Sequence, residues 1–104
     1  MAAYILFDVK EVIDAAKLEE YRTLVLDTVT HYGGRYLLLG GAVEQLEGDW
    51  QPAFPVLIRF ANKEAARNWY TSDPYRYPKS LRMAGARCDA VLMESDPNDF
   101  IQED

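Results

Sequence analysis

Gly33-Gly34-Arg35-Tyr36-Leu37-Leu38-Leu39-Gly40-Gly41 decides how this 104-residue chain is read. Two glycine pairs bracket a short apolar run. Glycine enters the left-handed region without a Cβ penalty, so the first pair can stop a helix. The run between the pairs has the length of a strand, and the second pair lets the chain reverse or bulge. The stretch reads as helix end, buried strand, turn.

Upstream of it, Asp14 is a helix N-cap, with Glu19 and Glu20 lying toward the positive end of the helix that follows. Leu18, Tyr21, Val25, Thr28 and Tyr32 recur at intervals of three and four, which predicts a long amphipathic helix ending at Gly33. Before it, the aromatic and β-branched run Tyr4–Val9 predicts a first strand. Downstream, Arg35–Leu39 is the second strand, with a weaker one over Val43–Leu46. The turn residues and prolines of Gly48–Pro55 predict a loop, and Val56–Phe60 a third strand. Asn62 then caps a helix through Trp69 and Tyr70 that closes at Ser72-Asp73-Pro74. A further short helix is expected from near Pro78 to Ala84, because proline suits a first turn better than a helix interior. Ala90–Met93 is the last strand.

The order strand, helix, strand, strand, helix, strand predicts an α+β ferredoxin-like βαββαβ domain, an antiparallel sheet with helices on one face. It spans residues 1–95 as a single domain, followed by an acidic tail over 96–104. A sheet with one wet face shows alternation, and Ile5-Leu6-Phe7, Leu37-Leu38-Leu39, Val56-Leu57-Ile58 and Val91-Leu92-Met93 do not alternate. The second apolar face is expected to meet a second copy, giving a homodimer through back-to-back sheets.

Composition narrows the partners. Hydrophobic content of 49% with 27% charged residues is ordinary for one globular domain. A formal charge of −6 argues against nucleic acid and against anionic membrane surfaces. No apolar run approaches the ~20 residues of a membrane span, and no signal peptide is visible after Met1, so the cytoplasm is expected. Cys88 is the lone cysteine, which leaves no intramolecular disulfide and reads as a small buried hydrophobe.

Tyr32-Gly33-Gly34-Arg35-Tyr36-Leu37, Gly40-Gly41-Ala42-Val43-Glu44, Leu46-Glu47-Gly48-Asp49-Trp50 and Ala65-Ala66-Arg67-Asn68-Trp69-Tyr70 occur in this order. Together they resemble domain of unknown function 1330, a family of the dimeric α+β barrel superfamily. The resemblance covers about residues 3–95. It implies the same dimer of back-to-back sheets and supplies no reaction.

No nucleophile elbow, metal spacing, phosphate-binding glycine loop or dinucleotide fingerprint is present, so no metal and no cofactor are expected. The glycine pairs do not cradle phosphate, since the first ends a helix instead of opening one. Candidate catalytic residues are Asp8, the one acid within the first strand, and His31, the only histidine. His31 also suits the negative end of its helix, and Asp8 also suits a strand end reaching solvent. Candidate substrate-binding residues are Arg59, Trp69, Tyr70 and Tyr36. Arg59 answers an anion or pairs with Asp8 across the ladder, and the aromatic residues form either a pocket wall or core. The reading is a cytoplasmic dimer binding a small organic molecule between sheet and helices. The alternative is a cofactor-free enzyme, isomerase- or monooxygenase-like, using Asp8 or His31 for proton transfer.

Overall fold

Seven elements follow one another in a computed structural model that describes residues 1–96. They are β1 (Ala3–Val12), α1 (Ala15–His31), β2 (Arg35–Leu39), β3 (Pro55–Phe60), α2 (Lys63–Tyr70), α3 (Asp73–Gly85) and β4 (Ala86–Glu94). The strands form one antiparallel sheet in the order β2-β3-β1-β4. This is the expected ferredoxin-like α+β arrangement. Apart from Asp96, the expected acidic tail lies outside the described residues.

Each helix end follows from its sequence. The Lys17 N–H donates to the Asp14 carboxylate at the start of α1 (3.2 Å). At its other end Gly33 takes φ +78°, its N–H reaches the Thr30 carbonyl and the Gly34 N–H reaches that of Val29. That pair of bonds is a Schellman stop, and it aims the chain into β2. Asn62 caps α2 through the Ala65 N–H (2.8 Å). Ser72 joins the next two helices. Its hydroxyl donates to the Trp69 carbonyl (2.8 Å) and accepts from the Tyr75 N–H (3.3 Å).

Two expectations need correction here. The last helix begins at Asp73 and not near Pro78, so Pro78 sits inside it, buried. Ser72 and Pro74 nucleate this start: a capping serine and a first-turn proline outweigh the amide bond that Pro78 cannot make. No strand forms over Val43–Leu46, and Leu46 is 89% exposed. Gly40 turns the chain away from the sheet in a left-handed conformation, and its N–H bonds the Pro55 carbonyl across the mouth of the loop.

The core lies between sheet and helices. Ala3, Ile5 and Phe7 of β1 face it with Ile58, Phe60 and Val29. Trp69 is its centre, stacked 4.1 Å from the Tyr75 ring and edge-on to Phe7. Its indole N–H donates to the Thr28 hydroxyl (3.0 Å), so the buried polar atom is satisfied. On the opposite face, Leu38, Leu57, Leu6 and Val91 form one row straight across the sheet by register. Its ends, Leu38 and Val91, are 44% and 49% exposed. Among the described residues no helix is long and apolar enough to cross a membrane.

Candidate functional site

α1 lies chiefly against α3, while α2 covers β1, β3 and β4. The β2 end of the sheet is therefore left without close helical cover, and a cavity of about 660 Å³ opens there between α1 and the sheet. Its floor is Phe7, Val56, Ile58 and Tyr36, and its roof is Leu18, Tyr21 and Val25 of α1. The alternation of β1 and β3 turns Phe7, Val56 and Ile58 to this side, and the three- and four-residue spacing of α1 brings its residues over them. Phe54 closes one side, packed so near Gly40 that a Cβ there would lie 2.2 Å from its ring.

The wall is not wholly apolar. Arg82 of α3 reaches it although only 6% exposed, with its guanidinium carbon 4.9 Å from the Phe7 ring centroid. Its Nε donates to the Tyr75 hydroxyl (3.2 Å), which lies 3.1 Å from the Tyr21 hydroxyl. Its Nη2 is out of solvent contact and has no acceptor. Burial pushes the Tyr21 phenol well above its ordinary value, helped by neighbouring Tyr75, and burial with a smaller push from Tyr75 carries Tyr36 to about 12. Tyr75 is also raised by burial, against the opposing pull of the Arg82 cation. All three phenols are protonated at neutral pH and act through hydrogen bonds.

The residues singled out in the sequence are dispersed. Tyr36 lines the cavity; Asp8, His31, Arg59, Trp69 and Tyr70 do not. Asp8 is 5% exposed, and its Oδ1 accepts from the Ala53 and Phe54 N–H groups (3.0 and 3.1 Å), which ties the loop 40–54 back to β1. The expected Asp8–Arg59 meeting does not occur. Register pairs Asp8 with Pro55 and Arg59 with Tyr4, at opposite ends of the ladder. His31 is exposed in the last turn of α1, edge-on to Tyr32. Trp69 is core, and Tyr70 carries the Lys79 ammonium 4.4 Å above its ring. Among the described residues no cluster of three or more histidine, cysteine or acidic side chains is set to hold a metal.

Arg82 and Tyr21 are the cavity residues that sequence reasoning missed; Tyr75, read from the sequence as part of an aromatic wall, is core and only bonds to them. The signal for Arg82 was a basic residue on the stripe Tyr75, Pro78, Leu81, Arg82, Gly85, which is the buried face of α3. Starting that helix at Pro78 hid the pattern.

The model of a family described as "Domain of unknown function (DUF1330)" matches residues 2–96. Among curated proteins no sequence matches this chain. Solved structures share the fold at low identity. The RPA0582 protein of unknown function from Rhodopseudomonas palustris is 15% identical, with a TM-score of 0.70 over 92% of this chain and 84% of that one. A dimeric ferredoxin-like protein of unknown function from Jannaschia sp. CCS1 is 14% identical, with a TM-score of 0.66 over 91% of this chain and 100% of that one. SnoaB, a cofactor-independent oxygenase from Streptomyces nogalater, is 12% identical, with a TM-score of 0.57 over 93% of each chain.

Proposed function

Because this chain belongs to the DUF1330 family, whose description assigns no activity, we propose a function from the cavity itself: the protein binds a small, mainly apolar organic molecule between α1 and the sheet. The observation that carries this reading is the size of the space. A well-packed core leaves few voids larger than a water molecule, whereas about 660 Å³ is the range of small-ligand pockets. The walls combine aliphatic and aromatic surface with a few polar groups, which is how such pockets hold and orient a ligand. SnoaB shows that this fold can support cofactor-independent chemistry, as an analogy of fold. Asp8 and His31 lie outside the cavity wall, so neither transfers a proton in this reading.

The functional unit in this reading is a homodimer joined through the outer sheet faces. The uncovered row Leu38–Leu57–Leu6–Val91 supports it, as does the dimeric Jannaschia protein. Sedimentation equilibrium at low micromolar concentration is expected to show a dimer for the native chain and a folded monomer for Val91→Arg. A native monomer removes the dimer.

The binding test uses the neutral fluorophore N-phenyl-1-naphthylamine. One molecule per subunit is expected to bind with enhanced emission, and Leu26→Trp at the cavity rim is expected to weaken it. Absence of saturable binding to the native protein refutes the reading.

A further inference from the structure

Resting on that cavity reading, we infer that the natural ligand is a monocarboxylate with an apolar body, its carboxylate held by Arg82 and Tyr21. Among the described residues, the wall's one carboxylate, Glu11, is paired with Arg87, and Arg82 has no acid partner. Arg82 is a cation out of water, and among the described residues no carboxylate lies within ion-pair distance of it. Its contacts are a phenol oxygen, the Cys88 thiol and the face of Phe7, and Nη2 donates to nothing. A buried guanidinium left in that state is costly, and the missing group is an anionic acceptor.

The tyrosines extend the argument. The Tyr75 oxygen accepts from Arg82 Nε and lies 3.1 Å from the Tyr21 oxygen, a bond in which either phenol can donate. In the ligand complex Tyr75 donates to Tyr21, and Tyr21, which lines the cavity, turns its own proton to the carboxylate. Arg82 and Tyr21 both line the cavity, so a buried cation with a spare donor and a phenol stand at the wall of one space.

Charge around the opening agrees. Of the charged cavity residues, Lys10 is paired with Asp89 and Glu11 with Arg87, which leaves Arg22 and Arg82 as cations in a chain whose formal charge is −6. A local excess of positive charge in an acidic protein draws an anion to this opening in preference to the rest of the surface. One planar guanidinium matches one carboxylate, and the aromatic floor of Phe7 and Tyr36 takes the apolar body.

The test is calorimetric titration with 2-naphthoate and with 2-naphthamide, which share a ring system and differ in charge. Native protein is expected to bind the acid about 10-fold or more tightly than the amide, as a charge-assisted hydrogen bond would give. Arg82→Met is expected to erase that preference by weakening acid binding far more than amide binding. Tyr21→Phe, which removes one hydroxyl, is expected to reduce it about 3-fold. Equal affinities for acid and amide overturn the inference while leaving the cavity reading in place, and so does an acid preference that survives Arg82→Met. Failure of the native protein to bind acid, amide and N-phenyl-1-naphthylamine overturns both.

Discussion

Arg82→Met separates a group kept for a ligand from a group kept for the fold. The substitution removes the 3.2 Å bond to Tyr75, worth about 1.5–3 kcal/mol for a charged donor, and the stacking on Phe7, worth about 1–2 kcal/mol. It also removes a desolvated cation that has no carboxylate partner among the described residues, a relief of several kcal/mol. Methionine has similar reach and fills irregular space well, so little cavity is added. The balance is an unchanged protein or one stabilised by up to about 2 kcal/mol. At roughly 4 °C per kcal/mol for a domain of this size, Tm should stay level or rise by up to about 8 °C. Urea denaturation and calorimetry of ligand-free protein, at one fixed concentration, read the change directly. A loss greater than about 2 kcal/mol would refute the reasoning, since it would make the guanidinium a strut of the fold.

Three further outcomes follow from described geometry. Gly33→Val forces a β-branched residue to φ +78° at the Schellman stop and is expected to cost about 1–3 kcal/mol; an unmoved urea midpoint would show the glycine to be incidental. Asp8→Ala strips the acceptor from the Ala53 and Phe54 amides and is expected to cost about 2–4 kcal/mol, with Asp8→Asn milder because one oxygen remains. Equal urea midpoints for the native protein and the Asp8→Ala variant would rule out the clamp. For alkaline pH the sign runs downward: Tyr21, Tyr36 and Tyr75 hold their protons above the ordinary phenol value in the folded chain, and the unfolded chain releases them near 10.0. Stability is thus fully present below that value and falls as pH climbs toward about 12 for Tyr36, so the urea midpoint should drop between about pH 9 and about pH 11, less steeply in Tyr36→Phe.

The fold was legible because its decisive signals are local. Gly33-Gly34 stops α1, Asp14 and Asn62 start helices, and the unbroken apolarity of Tyr4–Phe7 and Val56–Ile58 announces strands whose two faces are both apolar. The site was harder to see because it depends on distance in sequence. Asp8 and Arg59 were paired by reasoning that strand neighbours meet, but register is set by loop length and by the side of the sheet each strand buries, and it put them at opposite ends. Tyr21 reads as one more residue on a helical stripe, and only the packing of α1 on α3 reveals that it meets Tyr75, 54 residues away. The sequence marks Asp8, offered there as a candidate catalytic residue, only as an acid within a strand that needs a reason. The reason is a pair of loop amides, which no spacing rule reveals.

The strand order also dictates when the sheet can form. β1 is synthesised before the other strands of its sheet, yet it lies between β3 and β4, with Ala3 paired to Phe60 on one side and Glu94 on the other. Both partners arrive late, one after more than half of the chain and the other near residue 94. α1 and its glycine stop need only local contacts and can be ready early, whereas the central strand must wait as an unpaired apolar segment. Closure of β4 onto β1 joins the two strands of the sheet that lie farthest apart in sequence, and the waiting edge is where association between unfinished chains would begin. A chain interrupted after Phe60 would hold a three-stranded sheet with β1, and its core residues Ile5 and Phe7, at the open edge.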